Sequence, residues 1–220
     1  MSAADESGHR PLPPDLGRLL HDLRGPLNSL TMHVEVLRRT VCGDAQAEES
    51  LRTVLEQLAR LGVMLPAAFA VASLEAAAPA PVELGAVVAA ACDGVGGPVT
   101  LANESWPTVI GDAGLLTLAL AHLIRNAVEA SAAAGRAEPP HVSASVADDE
   151  VRVTVRDWGP GLRTTNAKLL IRLMHSTKPG HAGLGLVTVE RIARLHGGTV
   201  RFESPGDGAL VTLVLPRDRS

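Results

Sequence analysis

Apolar residues in the first third of the chain recur at alternating steps of four and three. This 3.5-residue repeat is typical of a supercoiled helix, and Cys42-Gly43-Asp44 would end it. A second helix, from about Glu48 to Leu74, continues the repeat and has Gly62 at one seam position. The seam residues of the first helix are Leu16, Leu20, Leu23, Leu27, Leu30, Val34, Leu37 and Val41, and those of the second are Leu51, Leu55, Leu58 and Leu65.

Two helices cannot each bury a complete seam by themselves. We therefore predict a helical hairpin that forms a homodimer, in which two hairpins make a four-helix bundle. The alternative is an intramolecular coiled hairpin that packs on the remainder of the chain.

The periodicity changes after the second helix. The Ala/Pro-rich stretch 76–81 is typical of a linker, Leu84–Cys92 of a helix, and Asp112 of the cap of a long helix to about Ala134. A further helix over about Leu184–Leu195 would be stopped by Gly197-Gly198. Alternating segments predict strands at Val99–Ala102, Thr108–Ile110, Val142–Val146, Val151–Arg156, Val200–Glu203 and Leu210–Leu215.

These elements predict an α + α/β sandwich, in which the hairpin is followed by helices packed on a mixed, mainly antiparallel sheet. The expected organisation is a disordered polar tail at 1–15, a helical domain at 16–78, a linker at 79–82 and a second domain at 83–217.

Composition and charge narrow the possible functions. Aromatic residues make up only 2% of the chain, so the core must be built from Ala, Val and Leu. The formal net charge of −4 gives no basic field for nucleic acid. Cys42 and Cys92 lie in alanine-rich stretches, which favours free buried thiols in a reducing cytoplasm over a disulfide between them. No metal-ligand spacing is present.

No membrane span is expected. The longest weakly charged stretch, from Leu65 to Cys92, is mostly alanine and is interrupted by Pro66, Pro79 and Pro81. The acidic, proline-rich start of the chain does not resemble a signal peptide, so we expect a cytoplasmic location.

A candidate nucleophile lies on the first helix. His21 follows the seam residue Leu20, so it flanks the seam and is expected to reach solvent. A neutral imidazole is a good nucleophile near neutral pH, and Asp22 can orient the ring or accept its Nδ1 proton. Pro26 would bend the helix. Taken alone, a His-Asp pair on a helix is usually just a solvated face.

Three later segments carry groups that suit a nucleotide. Asn126 is a polar amide in a helix whose inner face is expected to be Leu115, Leu118, Ala119 and Leu123. It either binds Mg²⁺ through its carbonyl oxygen or is capped by backbone. Asp157, at a strand end, can accept a hydrogen bond from an exocyclic amine such as the adenine N6. The glycines Gly159 and Gly161 allow a close backbone approach, although a plain turn is the alternative.

The third segment precedes a helix. Gly183 and Gly185 can leave backbone N–H groups open to phosphate, and the helix dipole assists. Lys178, shortly before them, would add a positive charge. Each segment is weak evidence alone, and the order and spacing of all four make the combination specific.

With these segments, the chain resembles the cytoplasmic core of a bacterial two-component sensor histidine kinase. Residues 16–78 resemble the dimerisation and histidine-phosphotransfer hairpin, and residues 82–216 resemble the Bergerat (GHKL) ATP-binding domain of the gyrase, chaperone and kinase superfamily. The resemblance implies ATP and Mg²⁺ as cofactors. It assigns His21 and Asp22 to catalysis, Asn126 to the metal, and Asp157, Gly159, Gly161, Lys178, Gly183 and Gly185, with Asn126, to the nucleotide.

The implied activity is autophosphorylation of His21 by ATP, followed by transfer to an aspartate on a response regulator receiver domain. No sensory domain is recognisable, so a signal would arrive through an upstream sensory protein or through the N-terminal tail.

Several residues depart from the family pattern. Gly25 stands where Thr or Asn is usual, at a position tied to dephosphorylation of the regulator, and His122 replaces a common asparagine. His181 and Ala182 replace the usual Gly and Thr or Ser before Gly183, and the lid lacks its usual phenylalanine.

Two other functions are considered. A phosphotransfer or scaffold protein with a weakened ATP site is the main alternative, motivated by His181 and Ala182. An ATP-hydrolysing clamp of the gyrase kind would need a glutamate where this chain has His122, and it would leave the His21 helix unexplained.

Overall fold

The structure is a computed structural model that describes residues 23, 25–26, 28–30, 32–34, 36–37, 45–102, 104–170 and 183–217. The chain divides between Ala72 and Ser73 into two compact units. Several predictions lie outside the described residues, namely the disordered tail at 1–15 and the surroundings of His21, Asp22, Cys42, Lys178, His181 and Ala182.

The first unit contains helical residues wherever it is described between residues 23 and 37, followed by helix α1, Ala45–Ala72. One stripe of α1 is buried and consists of Val54, Leu61, Met64, Ala68 and Val71. A second stripe, on the predicted seam, remains exposed in the single chain: Leu51, Leu55, Leu58 and Leu65 are between 40% and 57% exposed.

The described residues of the second unit form seven strands and four helices. The strands are β1 Ala80–Glu83, β2 Thr100–Leu101, β3 Thr108–Gly111, β4 His141–Ala147, β5 Glu150–Arg156, β6 Thr199–Glu203 and β7 Leu210–Pro216. The helices are α2 Leu84–Val95, α3 Ala113–Ala133, α4 Ala167–Leu170 and α5 Gly185–Leu195.

Five strands form one sheet in the order β2-β4-β5-β7-β6, and β1 pairs with β3 in a separate two-stranded sheet. Among these described strands, β2 and β4 pair in parallel and the other pairs are antiparallel. The predicted mixed, mainly antiparallel sheet with packed helices is therefore confirmed.

The predicted linker at 79–82 is wrong in its structure, because Ala80–Glu83 forms β1. Pro81 lies opposite Ile110 of β3 in the antiparallel pair. Proline donates no backbone hydrogen bond, but a two-stranded sheet has only edge strands, where proline is tolerated. The Ala/Pro composition hid a short strand.

Helices α2, α3 and α5 and one face of the larger sheet share a core of small aliphatic residues. On β5, for example, Val151, Val153 and Val155 are buried and alternate with partly exposed residues. No aromatic residue belongs to this buried cluster among the described residues, as the composition predicts.

Helix α3 begins as predicted and faces the core differently than predicted. The Asp112 side chain accepts a hydrogen bond from Leu115 N at 3.0 Å, which confirms the predicted cap. The predicted inner face included Leu118, which is 39% exposed. The buried face instead consists of Leu116, Ala119, Leu120, Leu123, Ile124, Ala127 and Ser131. Because apolar residues occur on every side of α3, the sequence marks its inner face poorly.

Within the described residues, no helix has both the length and the apolar character that crossing a bilayer requires.

Candidate nucleotide site

A cavity of about 460 Å³ lies in the second unit between α3, the end of β5, the segment that follows it, and strands β6 and β7. Its volume is in the range of small-molecule sites. Among the described residues, its polar and charged lining consists of Asn126, Asp157, Arg163 and Thr164. The apolar walls include Leu123, Ala127, Val155, Leu162, Leu170, Leu186, Phe202 and Val211.

Asp157 follows β5 directly and is buried, with only 9% of its surface exposed. One carboxylate oxygen, Oδ1, accepts hydrogen bonds from Gly159 N at 2.8 Å and Ala209 N at 3.0 Å. The backbone N–H of Asp157 in turn donates to Ala209 O at 2.9 Å. Within the described part of the chain, Oδ2 has no hydrogen-bond partner, so it remains available to a ligand in the cavity.

The glycines after Asp157 are required by close packing. A Cβ on Gly159 would lie 2.8 Å from Ala130 Cβ and 3.0 Å from Ala130 O, so the loop touches α3. Gly161 has a φ of 76°, which favours glycine, and a Cβ there would meet Ser204 Oγ at 2.7 Å. Both glycines thus fix the loop that carries Asp157 against its neighbours.

Trp158 adds further contacts to the same loop. Its backbone N–H donates to Ser131 Oγ at 3.1 Å, and its indole Nε1–H donates to Pro139 O at 3.0 Å. The Arg156 guanidinium carbon lies 4.3 Å from the ring centroid of Trp158. The His141 ring is nearly perpendicular to the Trp158 ring, with 5.5 Å between the two centroids. The loop between Asp157 and Gly161 is therefore held from three directions.

Asn126 is an exposed residue of α3 and lines the same cavity as Asp157, although Asp157 comes 31 positions later in the chain. The structure therefore brings together two of the residues that the sequence singled out. Asn126 has no side-chain hydrogen bond to the described residues, which leaves its amide oxygen free to act as a ligand.

The glycines before α5 approach Asn126. A Cβ on Gly185 would lie 3.5 Å from His122 Nδ1 and 3.9 Å from Asn126 Nδ2. Gly183 has a φ of 68°, and in the described part of the chain no side chain caps the first turn of α5. Its first N–H groups are therefore not used by a cap and suit an anion.

Burial lowers the pKa of the His122 imidazole, and the nearby charge of Arg125 lowers it further. Both effects favour the neutral form of the His122 imidazole. One turn after it comes Asn126, on the same side of α3.

The residues present fit a metal ion that is held mainly by a ligand rather than by the protein. The described residues contain no group of three His, Cys, Asp or Glu side chains placed to hold a metal. The Asn126 amide oxygen suits Mg²⁺, which commonly takes few protein ligands and completes its shell with phosphates and water.

Sequence reasoning missed the back wall of the cavity. Phe202 and Val211, on paired strands β6 and β7, line it, and so does Arg163 after Gly161. Phe202 is one of only two phenylalanines, which is the signal that a search of the sequence could have used.

The fold and this site define the class of protein: an ATPase-type nucleotide-binding domain with its cavity between the helical layer and the sheet. Residues 111–219 match the family of histidine kinase-, DNA gyrase B- and HSP90-like ATPases, and this part of the chain belongs to that family.

The relatives narrow the class to sensor histidine kinases. The chain is 29% identical over 217 residues to the signal transduction histidine-protein kinase AtoS of Escherichia coli strain K12, covering 91% of this chain and 35% of AtoS. It is 27% identical over 214 residues to the sensor-like histidine kinase SenX3 of Mycobacterium bovis, covering 89% of this chain and 52% of SenX3. The chain thus spans about a third to a half of the length of these relatives.

Solved structures agree. The ATP-binding domain of PrrB from Mycobacterium tuberculosis is 27% identical with a TM-score of 0.52, over 64% of this chain and 99% of that domain. Full-length ShkA in complex with AMPPNP is 26% identical with a TM-score of 0.57, over 94% of this chain and 46% of ShkA. The predicted resemblance to a sensor histidine kinase core is confirmed.

Proposed function

We propose that this chain is an ATP-dependent protein-histidine kinase that phosphorylates itself on His21 and passes the phosphoryl group to an aspartate of a response regulator. The observation that carries the proposal is the largely apolar cavity with Asp157 and Asn126 in its wall and the uncapped start of α5 beside Asn126.

The cavity suits ATP in a defined direction. Asp157 Oδ2 accepts a hydrogen bond from the adenine amino group, while Gly159 and Gly161 let the backbone pass close to the ring. The phosphates extend toward Asn126 and the N–H groups after Gly183, with Gly185 leaving room and Lys178 adding a charge. Bound Mg²⁺ neutralises phosphate charge, and Asn126 contributes one oxygen to it.

In the reaction, an imidazole nitrogen of His21 attacks the γ-phosphorus in line. The new N–P bond forms as the bond to the β,γ-bridging oxygen breaks, so ADP leaves. Asp22 orients the ring and accepts its other proton. The phosphoryl group then moves to a carboxylate of the receiver domain, which restores His21.

The proposal includes a homodimer, since α1 carries an exposed leucine stripe. It also includes an upstream sensory partner and a cytoplasmic location, where ATP is available. These assignments extend to this chain what the resemblance implies.

Incubation of the purified chain with γ-³²P-ATP and Mg²⁺ tests the proposal. We expect acid-labile, base-stable label in the wild type and none in His21→Gln. His33→Gln, a matched change of another histidine in the described helical segment, should retain label. Label that persists in His21→Gln would show that the nucleophile is assigned wrongly.

The same material distinguishes the alternative of a phosphotransfer protein with a weakened ATP site. Saturating ligand stabilises the folded state by about 2.7 kcal/mol at a hundred times its Kd. We expect Mg²⁺-ATP to raise the melting temperature of the wild type. No rise, together with no label but efficient acceptance of phosphate from a receiver domain, would favour the alternative.

A further inference from the structure

The short segment between α1 and β1 is fastened to the second unit, to which it belongs. The Leu74 carbonyl accepts a hydrogen bond from Arg191 Nη2 on α5 at 3.2 Å. The Ala77 backbone N–H donates to Asp112 Oδ2, at the start of α3, at 2.9 Å. The Leu74 side chain also packs against the buried core of this unit. We call residues 74–77 the strap.

Asp112, which holds one end of the strap, is itself fixed from two other sides. Its Oδ1 accepts from Leu115 N, so Oδ2 is the oxygen that serves the strap. Its backbone N–H donates to His196 Nε2 at 2.9 Å. Because Nε2 accepts there, Nδ1 carries the ring proton and donates to Ile192 O at 2.8 Å. Asp112 thus joins the strap to the start of α3 and the end of α5.

The strap contacts lie well away from the residues proposed to bind phosphate. Asn126 comes 14 positions after Asp112, about 21 Å along the axis of α3. On α5, Arg191 comes six positions after Gly185, about 9 Å along the axis. Neither Asp112 nor Arg191 is among the described residues that line the cavity. Release of the strap should therefore leave nucleotide binding intact.

The strap determines how much free chain connects the two units. While it is fastened, Ser73 is the single residue between the end of α1 and Leu74. Without the strap, residues 73 to 79 would be free before β1 begins, which is seven residues. The effective concentration of a tethered group falls roughly as the −3/2 power of tether length, so this change lowers it on the order of tenfold.

We propose that Asp112 and Arg191 are positioning residues for phosphoryl transfer: by fastening the strap, they keep the connection to α1 short and raise the frequency with which His21 meets the bound nucleotide. This inference rests on the proposed function.

A double variant, Asp112→Ser with Arg191→Gln, releases the strap and spares the helix cap, because serine is as good an N-cap as aspartate. We expect the rate of self-phosphorylation at saturating Mg²⁺-ATP to fall on the order of tenfold. The half-saturating ATP concentration should stay within about twofold of the wild type. Arg194→Gln breaks a surface ion pair with Glu190 on the same helix, at 2.6 Å, and should change neither quantity.

Hydrogen exchange at the Ala77 amide reports the strap directly. We expect this amide to be protected in the wild type and in Arg194→Gln, and to lose its protection in the double variant, which removes both of the strap's polar contacts.

A second variant lengthens the tether and leaves both strap contacts in place. Six Gly-Ser residues inserted between Ser73 and Leu74 extend the free chain from one residue to about seven, so the labelling rate should fall on the order of tenfold. In the double variant the same insertion extends it from about seven to about thirteen, which should cost only about two- to threefold. Equal effects of the insertion in the two backgrounds would contradict the inference.

The outcomes separate the inference from the function on which it rests. If the double variant loses amide protection but is labelled as fast as the wild type, or faster, the positioning role is wrong and the kinase function stands. A loss of nucleotide affinity in the double variant would show that these contacts support the cavity, which would also overturn it. Absence of label in the wild type would overturn the proposed function and the inference with it.

Discussion

Single residues in the Asp157–Gly161 loop are constrained by how little space surrounds them. Gly159 packs on Ala130, and Gly161 has the left-handed backbone that side chains rarely adopt. Asp157 has one oxygen committed to two backbone donors. The geometry of this loop therefore depends on the small size of Gly159 and Gly161.

A methyl group on Gly159 should disturb this loop. In Gly159→Ala, the new Cβ meets both the side chain and the carbonyl of Ala130. We expect the free energy of unfolding to fall by about 1–3 kcal/mol and nucleotide affinity to fall on the order of tenfold, as measured by urea titration and calorimetry.

Gly94→Ala is the matched control. Gly94 lies near the end of α2, and a Cβ there would meet nothing within 4 Å. In a helix this change should stabilise by about 0.5–1 kcal/mol and leave nucleotide affinity unchanged. Equal behaviour of the two variants would contradict the role given to the Ala130 contact.

Asp112 makes a pH-dependent contribution to stability. The backbone N–H of Ala77, donating at 2.9 Å, and then that of Leu115 lower the pKa of its carboxyl group below the ordinary value of 3.8. A lowered pKa in the folded state means that the contribution is complete above the ordinary value and is lost as pH falls through the folded value.

Asp112→Ala should therefore reduce the free energy of unfolding by about 1 kcal/mol at neutral pH. The difference from the wild type should shrink as the solution is acidified toward about pH 3. Urea titrations of both proteins across this range measure it. A difference that grows on acidification would contradict the assignment.

At the scale of elements, helix α1 has an apolar stripe that a single chain leaves exposed to solvent. Its buried stripe is satisfied within the chain, whereas Leu51, Leu55, Leu58 and Leu65 stay exposed at heptad spacing. Water contact at four leucines is costly, which favours a second copy of the helix as the partner.

Replacement of Leu55 by Glu should therefore weaken the dimer. We expect the dimer dissociation constant to rise by about 100-fold, since each dimer would contain two introduced carboxylates at its seam. Sedimentation velocity over a range of concentrations measures this.

Arg60→Glu also introduces a carboxylate on α1, at an exposed position away from the seam, and should leave the dimer intact. If both variants remain equally dimeric, the leucine stripe is not the interface.

Elements whose ends are marked by local residues were predictable from the sequence. Elements that depend on contacts with distant parts of the chain were not. Asp112 marks the start of α3 by its own side-chain chemistry. The inward face of α3 was shifted, because Leu115, Leu118 and Leu120 differ in burial but not in polarity. Strand β1 was missed, since its order comes from pairing with β3 rather than from Ala80 and Pro81.

The candidate site divides in the same way. Asp157, Gly159 and Asn126 were recognisable because polar or flexible residues interrupt apolar elements. The partner of the Asp157 carboxylate, Ala209 N, lies 52 positions away and carries no side-chain signal. The wall formed by Phe202 and Val211 depends on the register of β6 and β7, which local patterns do not specify.

At the scale of the whole molecule, the cavity and His21, the proposed nucleophile, belong to different compact units. All the described residues that line the cavity come after Ser73, whereas His21 precedes the boundary at Ala72. On the proposed function, binding and phosphorylation should therefore be separable.

A fragment of residues 73–220 has its own core and should fold alone. We expect it to bind Mg²⁺-ATP within about twofold of the full chain, measured by calorimetry, and to incorporate no label from γ-³²P-ATP. Label on the fragment would place a phosphate acceptor in the second unit.

Mixing full-length His21→Gln with full-length Asn126→Ala tests the dimer in turn. Recovery of label on the Asn126→Ala subunits would show that one subunit phosphorylates its partner. No recovery, with each parent inactive alone, would show phosphorylation within a subunit.

Two backbone N–H groups donate to Asp157 Oδ1, so the other terminal atom of this side chain, Oδ2, faces the cavity. An asparagine held by the same two donors would keep its oxygen inward and turn an NH₂ group toward the purine. On the proposed function, the side chain at position 157 would then donate to a keto oxygen of the base instead of accepting from an amino group. Asp157→Asn should consequently bind inosine triphosphate more tightly than ATP, whereas the wild type should prefer ATP. A single atom of this side chain would thus set the choice of base.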